Sequence, residues 1–350
     1  MHVVLADPPA FTPPYDHELA AALARAGATV ELVTAPFRFG PRPAPTGYRL
    51  EESFYRRSSR IDRRGLRLAV KALEHPRAMR RLVRKKTDVV HLQWLAVPEL
   101  DRALLRTRSP LVFTAHDLLP RRTARKARLW RSLFARFDRI VVHSERGRET
   151  LLAFGVPADR LRVVPHPVFH SDPPRRDDGR TVLSLGVIRP YKGIDDAVEA
   201  VLRLSDARLL VAGDPRIPLD ALRARAGDRA EWRLGYLGRA ALEQALSETT
   251  VAVFPYRAEL DQSGALLQAL GAGVPAVVYD VGGLGEVVER FSAGRVVPPG
   301  DVDALEAAVR GLLDSPAALE SARAGARRAR ETLTWDAAAE AHLDLYREVV

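Results

Sequence analysis

Residues 182–193 read VLSLGVIRPYKG, an apolar run that passes directly into a loop with two cations and a closing glycine. A short apolar run bounded by turn residues is typical of a buried strand. A second junction lies about seventy residues later, where Gln262-Ser263-Gly264 opens the apolar run ALLQAL. Both segments indicate a strand that leads into a helix, so they favour an α/β fold with ligand-binding loops at the strand ends.

The same alternation of apolar runs and amphipathic helical stretches fills the rest of the chain. It predicts strands at 3–6, 30–33, 88–92, 111–114, 139–143, 162–165, 182–185, 207–212, 231–236, 251–255, 276–279 and 294–297. Strands that alternate with helices predict parallel sheets with crossover helices. We therefore predict two facing Rossmann-like, doubly wound parallel-sheet domains, with ligands bound at the strand C-termini in the cleft between them.

The polar, proline-containing segment HSDPPRRDDGR at 170–180 is typical of a linker. It divides the chain into a domain at 1–168, a linker at 169–180, a domain at 181–333 and a final helix at 334–350. Each half has the length of an ordinary domain.

The composition excludes several kinds of site and several classes of protein. The 350 residues include no cysteine, which excludes disulfides, thiolate metal sites and cysteine nucleophiles. No apolar run approaches the roughly 18–20 residues of a transmembrane helix, and the first residues, MHVVL, are predicted to form a core strand rather than a signal peptide. These features lead us to expect a cytoplasmic protein.

The net charge of +10 is concentrated in one segment. Thirteen Lys and Arg residues lie between Arg56 and Lys86, opposed only by Asp62 and Glu74. Apolar residues at helical spacing predict two short helices here, separated by Pro76. The pattern fits a helix pair on the inner face of an anionic membrane, and it fits a solvated arginine-rich surface equally well.

The candidate site residues of the second half are predicted to bind a diphosphate. Arg189 and Lys192 can neutralise phosphate charge, and Ser263 with Gly264 begins a helix whose free N–H groups favour an anion. Ser263 can also be the N-cap of that helix. Gln262 belongs to the same junction, and Asp261, Gln268 and Gly238 are assigned to the nucleoside or sugar of the same ligand.

The candidate residues of the first half lie near its strand ends. His116 follows a predicted strand and can act as an acid, a base or an acceptor contact, although a structural histidine is the alternative. Tyr15 and His17 lie at the start of the first helix, and we assign them to the binding of an acceptor substrate. Asp16 is a candidate N-cap of that helix. We predict no metal site.

With these residues in view, the whole chain resembles the family 4 glycosyltransferases of the GT-B fold. GVIRPYKG is similar to the diphosphate segment of the family, and LLQALGAGVPAVVYDVGGLGEVV is similar to its nucleotide-sugar segment. Residues 335–346 resemble the C-terminal helix that returns to the first domain. Two departures stand out: Gln268 replaces the second glutamate of the family motif, and FTPPY at 11–15 replaces a Gly-Gly loop.

The resemblance implies retaining, metal-independent transfer of a sugar from a nucleotide diphosphate sugar to an acceptor hydroxyl, which can be lipid-linked or part of a polysaccharide. It implies that Arg189 and Lys192 stabilise the leaving diphosphate, that the departing phosphate accepts the acceptor proton, and that His116 orients the acceptor. No cofactor beyond the nucleotide sugar is implied. The alternatives are an epimerase or phosphorylase on the same fold, or a non-catalytic binder of membranes or nucleic acid through residues 56–86.

Overall fold

The computed structural model describes residues 1–37, 40, 43–119, 123, 125–257 and 260–350. The chain divides into two compact units. The first contains Met1–Pro165 and Trp335–Val350, and the second contains His166–Thr334. The polar segment 169–180 belongs to the second unit.

The first unit is built on a parallel sheet of seven strands: β1 (His2–Asp7), β2 (Thr29–Thr34), β3 (Arg49–Glu52), β4 (Val89–Leu92), β5 (Leu111–Thr114), β6 (Arg139–Val142) and β7 (Leu161–Val163). The strand order is β3-β2-β1-β4-β5-β6-β7. The order reverses between β1 and β4, which pair in parallel. Ligands of doubly wound sheets bind at such a reversal, beyond the strand C-termini.

The helices of this unit that precede residue 166 are α1 (Pro13–Arg25), α2 (Arg64–Leu82), α3 (Pro98–Leu104), α4 (Ala127–Phe134) and α5 (Glu145–Phe154). Helix α1 begins at Pro13, three residues before the predicted start at Asp16. Proline fits the first turn because its missing N–H has no intrahelical partner there. Thr12 is therefore the N-cap residue, and the prediction that Asp16 caps the helix is wrong.

Helix α2 corrects the prediction of two short helices. It runs unbroken from Arg64 to Leu82 with Pro76 inside it. The neighbouring His75 is fully buried, where its Nε2 lies 2.6 Å from Asp101 and its Nδ1 lies 2.7 Å from the Tyr55 hydroxyl. These tertiary contacts hold the helix together at the point where proline removes a backbone hydrogen bond.

The second unit has a parallel sheet of six strands: β8 (Thr181–Leu185), β9 (Arg208–Gly213), β10 (Ala230–Leu234), β11 (Val251–Phe254), β12 (Ala276–Tyr279) and β13 (Gly294–Val297). Their order is β10-β9-β8-β11-β12-β13. The sheet packs against α6 (Ile194–Leu202), α7 (Asp220–Ala226), α8 (Arg239–Ser247), α9 (Gly264–Gly271), α10 (Gly283–Phe291), α11 (Val302–Leu313) and α12 (Pro316–Thr332).

The last helix, α13 (Trp335–Arg347), packs on α1 in the first unit. Its Tyr346 hydroxyl lies 2.6 Å from His91 on β4, and Asp336 accepts a hydrogen bond from Arg25. The prediction of two doubly wound parallel sheets with a C-terminal helix that returns to the first domain is confirmed. Strand β3, with the sequence RLEE, was not predicted because it lacks an apolar run.

The buried His75–Asp101 contact yields a stability prediction. We expect His75→Ala to lower the melting temperature of the first unit by roughly 6–12 °C, because it leaves a buried carboxylate and a buried phenol without their partner, at a cost of about 3 kcal/mol. Scanning calorimetry measures the shift. The matched control is His170→Ala, whose contact with Asp172 is largely exposed and contributes at most about 1 kcal/mol. Equal shifts for both variants would contradict the argument.

Candidate functional site

The two junctions predicted from the sequence lie side by side in the second unit. Strand β8 pairs in parallel with β11, so that Val182 is level with Val251 and Leu183 with Ala252. This pair marks the reversal of strand order in the sheet. The segment after β8 carries Arg189 and Lys192, and the segment after β11 leads to Ser263. Both segments therefore leave the sheet at the edge where a ligand is expected.

The segment after β8 closes on Gly193. Its φ of +63° is left-handed, and a Cβ added there would lie 1.9 Å from the backbone oxygen of Pro255 in the segment after β11. Only glycine allows both the backbone conformation and this close approach. The Lys192 ammonium therefore lies next to the other junction because no side chain separates the two backbones.

Ser263 is the N-cap residue of α9, as predicted. Its Oγ accepts a hydrogen bond from the backbone N–H of Leu266, and Gly264 is the first helical residue. The side chain is buried, whereas Gly264 is exposed. The start of α9 thus presents backbone N–H groups and the positive end of the helix dipole at the sheet edge.

Tyr256 joins these two elements and was missed by the sequence analysis. Lys192 Nζ donates to the Tyr256 hydroxyl at 2.5 Å, and that hydroxyl lies 3.1 Å from Ser263 Oγ. The ammonium also lies 4.2 Å from the centre of the Tyr256 ring. Burial raises the pKa of Tyr256, so its phenol stays protonated. The only signal in the sequence is a tyrosine at the end of a predicted strand.

Arg257 fixes the start of the same segment to helix α6. Its guanidinium donates to Asp195 at 2.7 Å and, through Nε, to Asp196 at 3.0 Å. Its backbone N–H donates to the Tyr191 carbonyl at 2.8 Å. Hydrogen bonds to Asp196 and Asp195 raise the pKa of Arg257 further above its ordinary value. The backbones of the two junctions are thereby tied together at a second point.

The remaining predicted donor residues lie at the same edge of the sheet or close to it. The Gln262 side chain donates to the Gly283 carbonyl at 3.2 Å and accepts from the Ser263 N–H at 2.9 Å. Asp261 is buried, and its carbonyl accepts from the Gly283 N–H. Gln268 is half-buried one turn into α9, and Gly238 is the N-cap residue of α8. The donor roles of these residues stay predictions.

Arg189 differs from Lys192 in its surroundings. It is exposed, and its carbonyl accepts from the Lys192 N–H in the short helical turn between them. The structure records no side-chain hydrogen bond or ion pair for Arg189 among the residues it describes. A planar guanidinium in this place can bond two phosphate oxygens at once.

In the first unit, His116 lies in a chain of side chains at the ends of β4, β5 and β6. His143 Nδ1 donates to the Val164 carbonyl at 2.9 Å, and His143 Nε2 lies 3.3 Å from His116 Nδ1. His116 Nε2 lies 3.0 Å from the Gln93 side chain. The indole of Trp94 stacks on the His116 ring, at 5.4 Å between centroids. His116 is therefore held in one orientation.

The first helix places its predicted acceptor residues inside the unit. Tyr15 is buried, with its ring edge-on to His116 at 4.7 Å. His17 is buried against the Tyr48 hydroxyl. The structure thus brings Tyr15 to His116 but gives His17 a different neighbour. The acceptor roles of both residues stay predictions.

Two buried carboxyl groups, those of Asp7 and Asp16, lie beside the side chains that surround His116. Burial raises the pKa of Asp7, at the end of β1, to about 6. Burial and the Asp7 charge raise the pKa of Asp16 as well. Thr12 connects the pair to the aromatic residues, since its Oγ1 lies 3.3 Å from Asp16 and accepts from the Trp94 indole at 2.8 Å. Neither the pair nor His143 was predicted as part of the site.

Two further observations concern metals and membranes. Within the described part of the chain, no group of three or more His, Asp or Glu side chains could hold a metal ion. The described helices also include none that is long and apolar enough to span a bilayer. Metal-independent chemistry stays a prediction.

Family models match both halves of the chain. Residues 15–171 match the model described as Glycosyltransferase Family 4, and residues 179–315 match the model described as Glycosyl transferases group 1. The two matches include the first-unit residues Tyr15, His17 and His116 and the second-unit residues Arg189, Lys192 and Ser263.

Individual relatives agree with these matches. The chain is 30% identical over 310 residues to a D-inositol 3-phosphate glycosyltransferase of Mycobacterium marinum, which covers 75% of this chain and 64% of the relative. The chain spans 42% to 64% of the length of the first curated relatives that it matches.

Solved structures share the fold over nearly the whole chain. Sucrose-phosphate synthase from Thermosynechococcus elongatus has a TM-score of 0.77 at 21% identity, covering 99% of this chain and 98% of that one. Anabaena Alr3699/HepE, solved in complex with UDP and glucose, has a TM-score of 0.73 at 14% identity, covering 99% and 100%.

The close approach at Gly193 yields a prediction about this edge of the sheet. We expect Gly193→Ala to lower the melting temperature of the second unit by several degrees, because the new Cβ meets the Pro255 carbonyl and the backbone is left-handed. Gly311→Ala is the control, since Gly311 lies inside α11 with open space around it. That change should stabilise the helix by roughly 0.5–1 kcal/mol. The argument fails if calorimetry shows that Gly193→Ala is neutral.

Proposed function

Because the chain belongs to the group 1 glycosyltransferases of the GT-B fold, we propose that it transfers a sugar from a nucleotide diphosphate sugar to an acceptor hydroxyl. The observation that carries the proposal is the hydrogen-bonded path from Lys192 through Tyr256 to Ser263. This path places a cation and a helix N-terminus at one point, with exposed Arg189 in the same loop. Such a group of residues suits a diphosphate.

The proposed chemistry assigns the leaving group to the second unit. Arg189, Lys192 and the N–H groups at the start of α9 stabilise the charge that develops on the diphosphate as the sugar leaves. These groups take the role that a metal ion has in other sugar transferases, so the proposed reaction needs no metal. The Anabaena neighbour was solved with UDP and glucose, which supports a nucleotide-sugar donor for a protein of this fold.

The proposed acceptor side is the first unit. We assign the acceptor hydroxyl to His116, whose orientation is fixed by His143 and Trp94. Transfer proceeds with retention, and the departing phosphate takes the proton of the acceptor. The relative named for D-inositol 3-phosphate supports a sugar or cyclitol acceptor.

The diphosphate assignment predicts that Arg189→Ala and Lys192→Ala each weaken binding of a nucleoside diphosphate by about 10- to 100-fold, since each loses a charge-assisted hydrogen bond. The rate of sugar transfer from a nucleotide sugar should fall together with this affinity. Calorimetric titration with UDP, GDP and ADP measures the binding. The melting temperature should stay within about 2 °C, because Arg189 is exposed and Lys192 is half-buried.

The matched control is Arg327→Ala, which removes one exposed arginine from α12 of the same unit, where it pairs with Glu320. It should leave nucleotide affinity unchanged. Full affinity in both Arg189→Ala and Lys192→Ala would refute the diphosphate site. Conversion of a nucleotide sugar with no acceptor present would favour an epimerase, and conversion that depends on inorganic phosphate would favour a phosphorylase.

We propose in addition that α2 rests on an anionic membrane surface. The first half of the helix exposes three leucines, with 55% of Leu66, 56% of Leu68 and 64% of Leu73 accessible. The second half exposes Arg77, Arg80 and Arg81, and Arg84 is exposed two residues after the helix ends. Leu66, Leu73, Arg77 and Arg80 follow helical spacing along one face. An apolar stripe beside a cationic one suits acyl chains and acidic head groups.

One cation of the basic segment does not belong to this surface. Lys85 Nζ donates to Glu31 at 3.0 Å and to Glu51 at 2.7 Å, and Glu31 is buried. Burial and hydrogen bonds to Glu51 and Glu31 act in opposite directions on Lys85, and the net result is a raised pKa. Lys85 therefore holds α2 against the sheet of the first unit.

The membrane proposal predicts that changing Arg77, Arg80, Arg81 and Arg84 to Gln abolishes sedimentation with phosphatidylglycerol vesicles, because about 1 kcal/mol is lost per basic residue. The control removes four exposed arginines from the second unit, Arg223, Arg225, Arg310 and Arg327, and should keep binding. Neutral phosphatidylcholine vesicles should bind neither variant. Undiminished binding by the α2 variant would rule out this surface, and salt-sensitive DNA binding lost in that variant would favour a nucleic acid instead.

A further inference from the structure

We propose that Tyr256 is a positioning residue that holds the Lys192 ammonium and the start of α9 in register for the donor diphosphate. The inference rests on the proposed function, because it concerns the same diphosphate. It adds a residue that belongs to neither of the two junction motifs and that acts through Lys192 and Ser263.

The direction of the hydrogen bonds follows from the donors. An ammonium group has no lone pair, so Lys192 Nζ donates and the Tyr256 hydroxyl oxygen accepts, at 2.5 Å. The hydroxyl hydrogen is then available for Ser263 Oγ at 3.1 Å. Ser263 Oγ also accepts from the Leu266 N–H at 3.4 Å. One phenol therefore links the cation to the capped end of the helix.

The ring of Tyr256 gives this link a rigid base. Tyr256 is buried and follows β11 after one residue, and its ring packs edge-on against Phe254 at 5.9 Å and Tyr191 at 6.0 Å. Lys192 Nζ lies 4.2 Å from the ring centre, within the range of a cation–π contact. A lysine side chain loses much rotamer freedom when it is fixed. Placing it before the ligand arrives reduces that cost at binding.

A purely structural tyrosine would behave differently from a positioning one. The ring fills the core whether or not it carries a hydroxyl, whereas the hydroxyl alone reaches Lys192 and Ser263. Tyr256→Phe therefore keeps the packing and removes the link. The proposed role predicts a loss confined to the phosphate part of the ligand.

The experiment compares nucleoside diphosphates with their nucleosides by calorimetric titration. The probes are UDP, GDP and ADP, each paired with uridine, guanosine or adenosine. For the diphosphate that binds the wild type most tightly, Tyr256→Phe should weaken binding by about tenfold. Binding of the matching nucleoside should stay unchanged, because a nucleoside lacks the group that Lys192 meets.

Tyr346→Phe is the matched control. It also removes a buried phenol, whose hydroxyl lies 2.6 Å from His91 in the first unit. It should lower the melting temperature as much as Tyr256→Phe does, or more, while leaving diphosphate affinity unchanged. An equal loss of affinity in both variants would show that reduced stability, rather than Lys192, causes the effect.

A double-mutant cycle tests whether Tyr256 acts through Lys192. In a Lys192→Ala background, Tyr256→Phe should change diphosphate affinity by less than about twofold, since coupled residues are not additive. A second tenfold loss would overturn the inference, as would equal affinity of Tyr256→Phe and wild type, or parallel losses for diphosphate and nucleoside. If the wild type binds none of the three diphosphates, the proposed function fails and the inference fails with it.

Discussion

The parallel pairing of β8 with β11 is the constraint on which the candidate donor site depends. It sets Val182 level with Val251, and both strands then leave the sheet at the same edge. Lys192 and Ser263 are about seventy residues apart in the chain, yet one phenol hydroxyl contacts both. A slip of one residue in this register would exchange the side chains on the two faces of a strand and shift one loop by about 3.3 Å relative to the other. The register of the sheet therefore fixes the positions of the two loops relative to each other.

The first unit follows the same topological rule with different chemistry. Its strand order reverses between β1 and β4, and polar side chains follow both strands: Asp7 at the end of β1, and Gln93 and Trp94 just after β4. Among the described residues, this edge carries imidazoles, an amide and two buried carboxyl groups. Burial raises the pKa values of Asp7 and Asp16, which lowers the cost of keeping two such groups side by side. Such an edge is suited to hydroxyl groups, whereas the edge of the second unit is suited to phosphate.

Local patterns in the sequence were sufficient to predict the sheets. Twelve predicted runs corresponded to strands, and most of these runs are apolar because a parallel strand inside a sheet is buried on both faces. Strand β3 was not predicted, because it is an edge strand with the polar sequence RLEE. The candidate diphosphate residues Arg189, Lys192 and Ser263 could be proposed from the sequence because each lies directly at a strand-to-helix junction.

The features that the sequence did not predict depend on residues distant in the chain. Helix α2 continues through Pro76 because His75 is held by Tyr55 and by Asp101 on another helix. Lys85 was counted with the basic surface, but its partner Glu31 lies on β2, before the basic segment begins. His143 and Tyr256 lie in no recognisable motif, since their roles come from neighbours that only folding provides.

Charge balance gives Arg257 a role at the proposed donor edge beside Arg189 and Lys192. Helix α6 begins right after Gly193, and its first turn carries Asp195 and Asp196. Two carboxylates so near the loop would oppose an anionic ligand. Arg257 binds both of them, which offsets part of their charge and reduces their opposition to the field of Lys192 and the α9 N-terminus.

The uncharged Gln268 acts in the same direction, because it keeps negative charge out of the first turns of α9. The glutamine that departs from the family motif is therefore consistent with the proposed diphosphate site. A glutamate there would place a carboxylate one turn from the helix start that we propose to bind the anion. Gln268 keeps hydrogen-bonding capacity for a hydroxyl without that electrostatic cost.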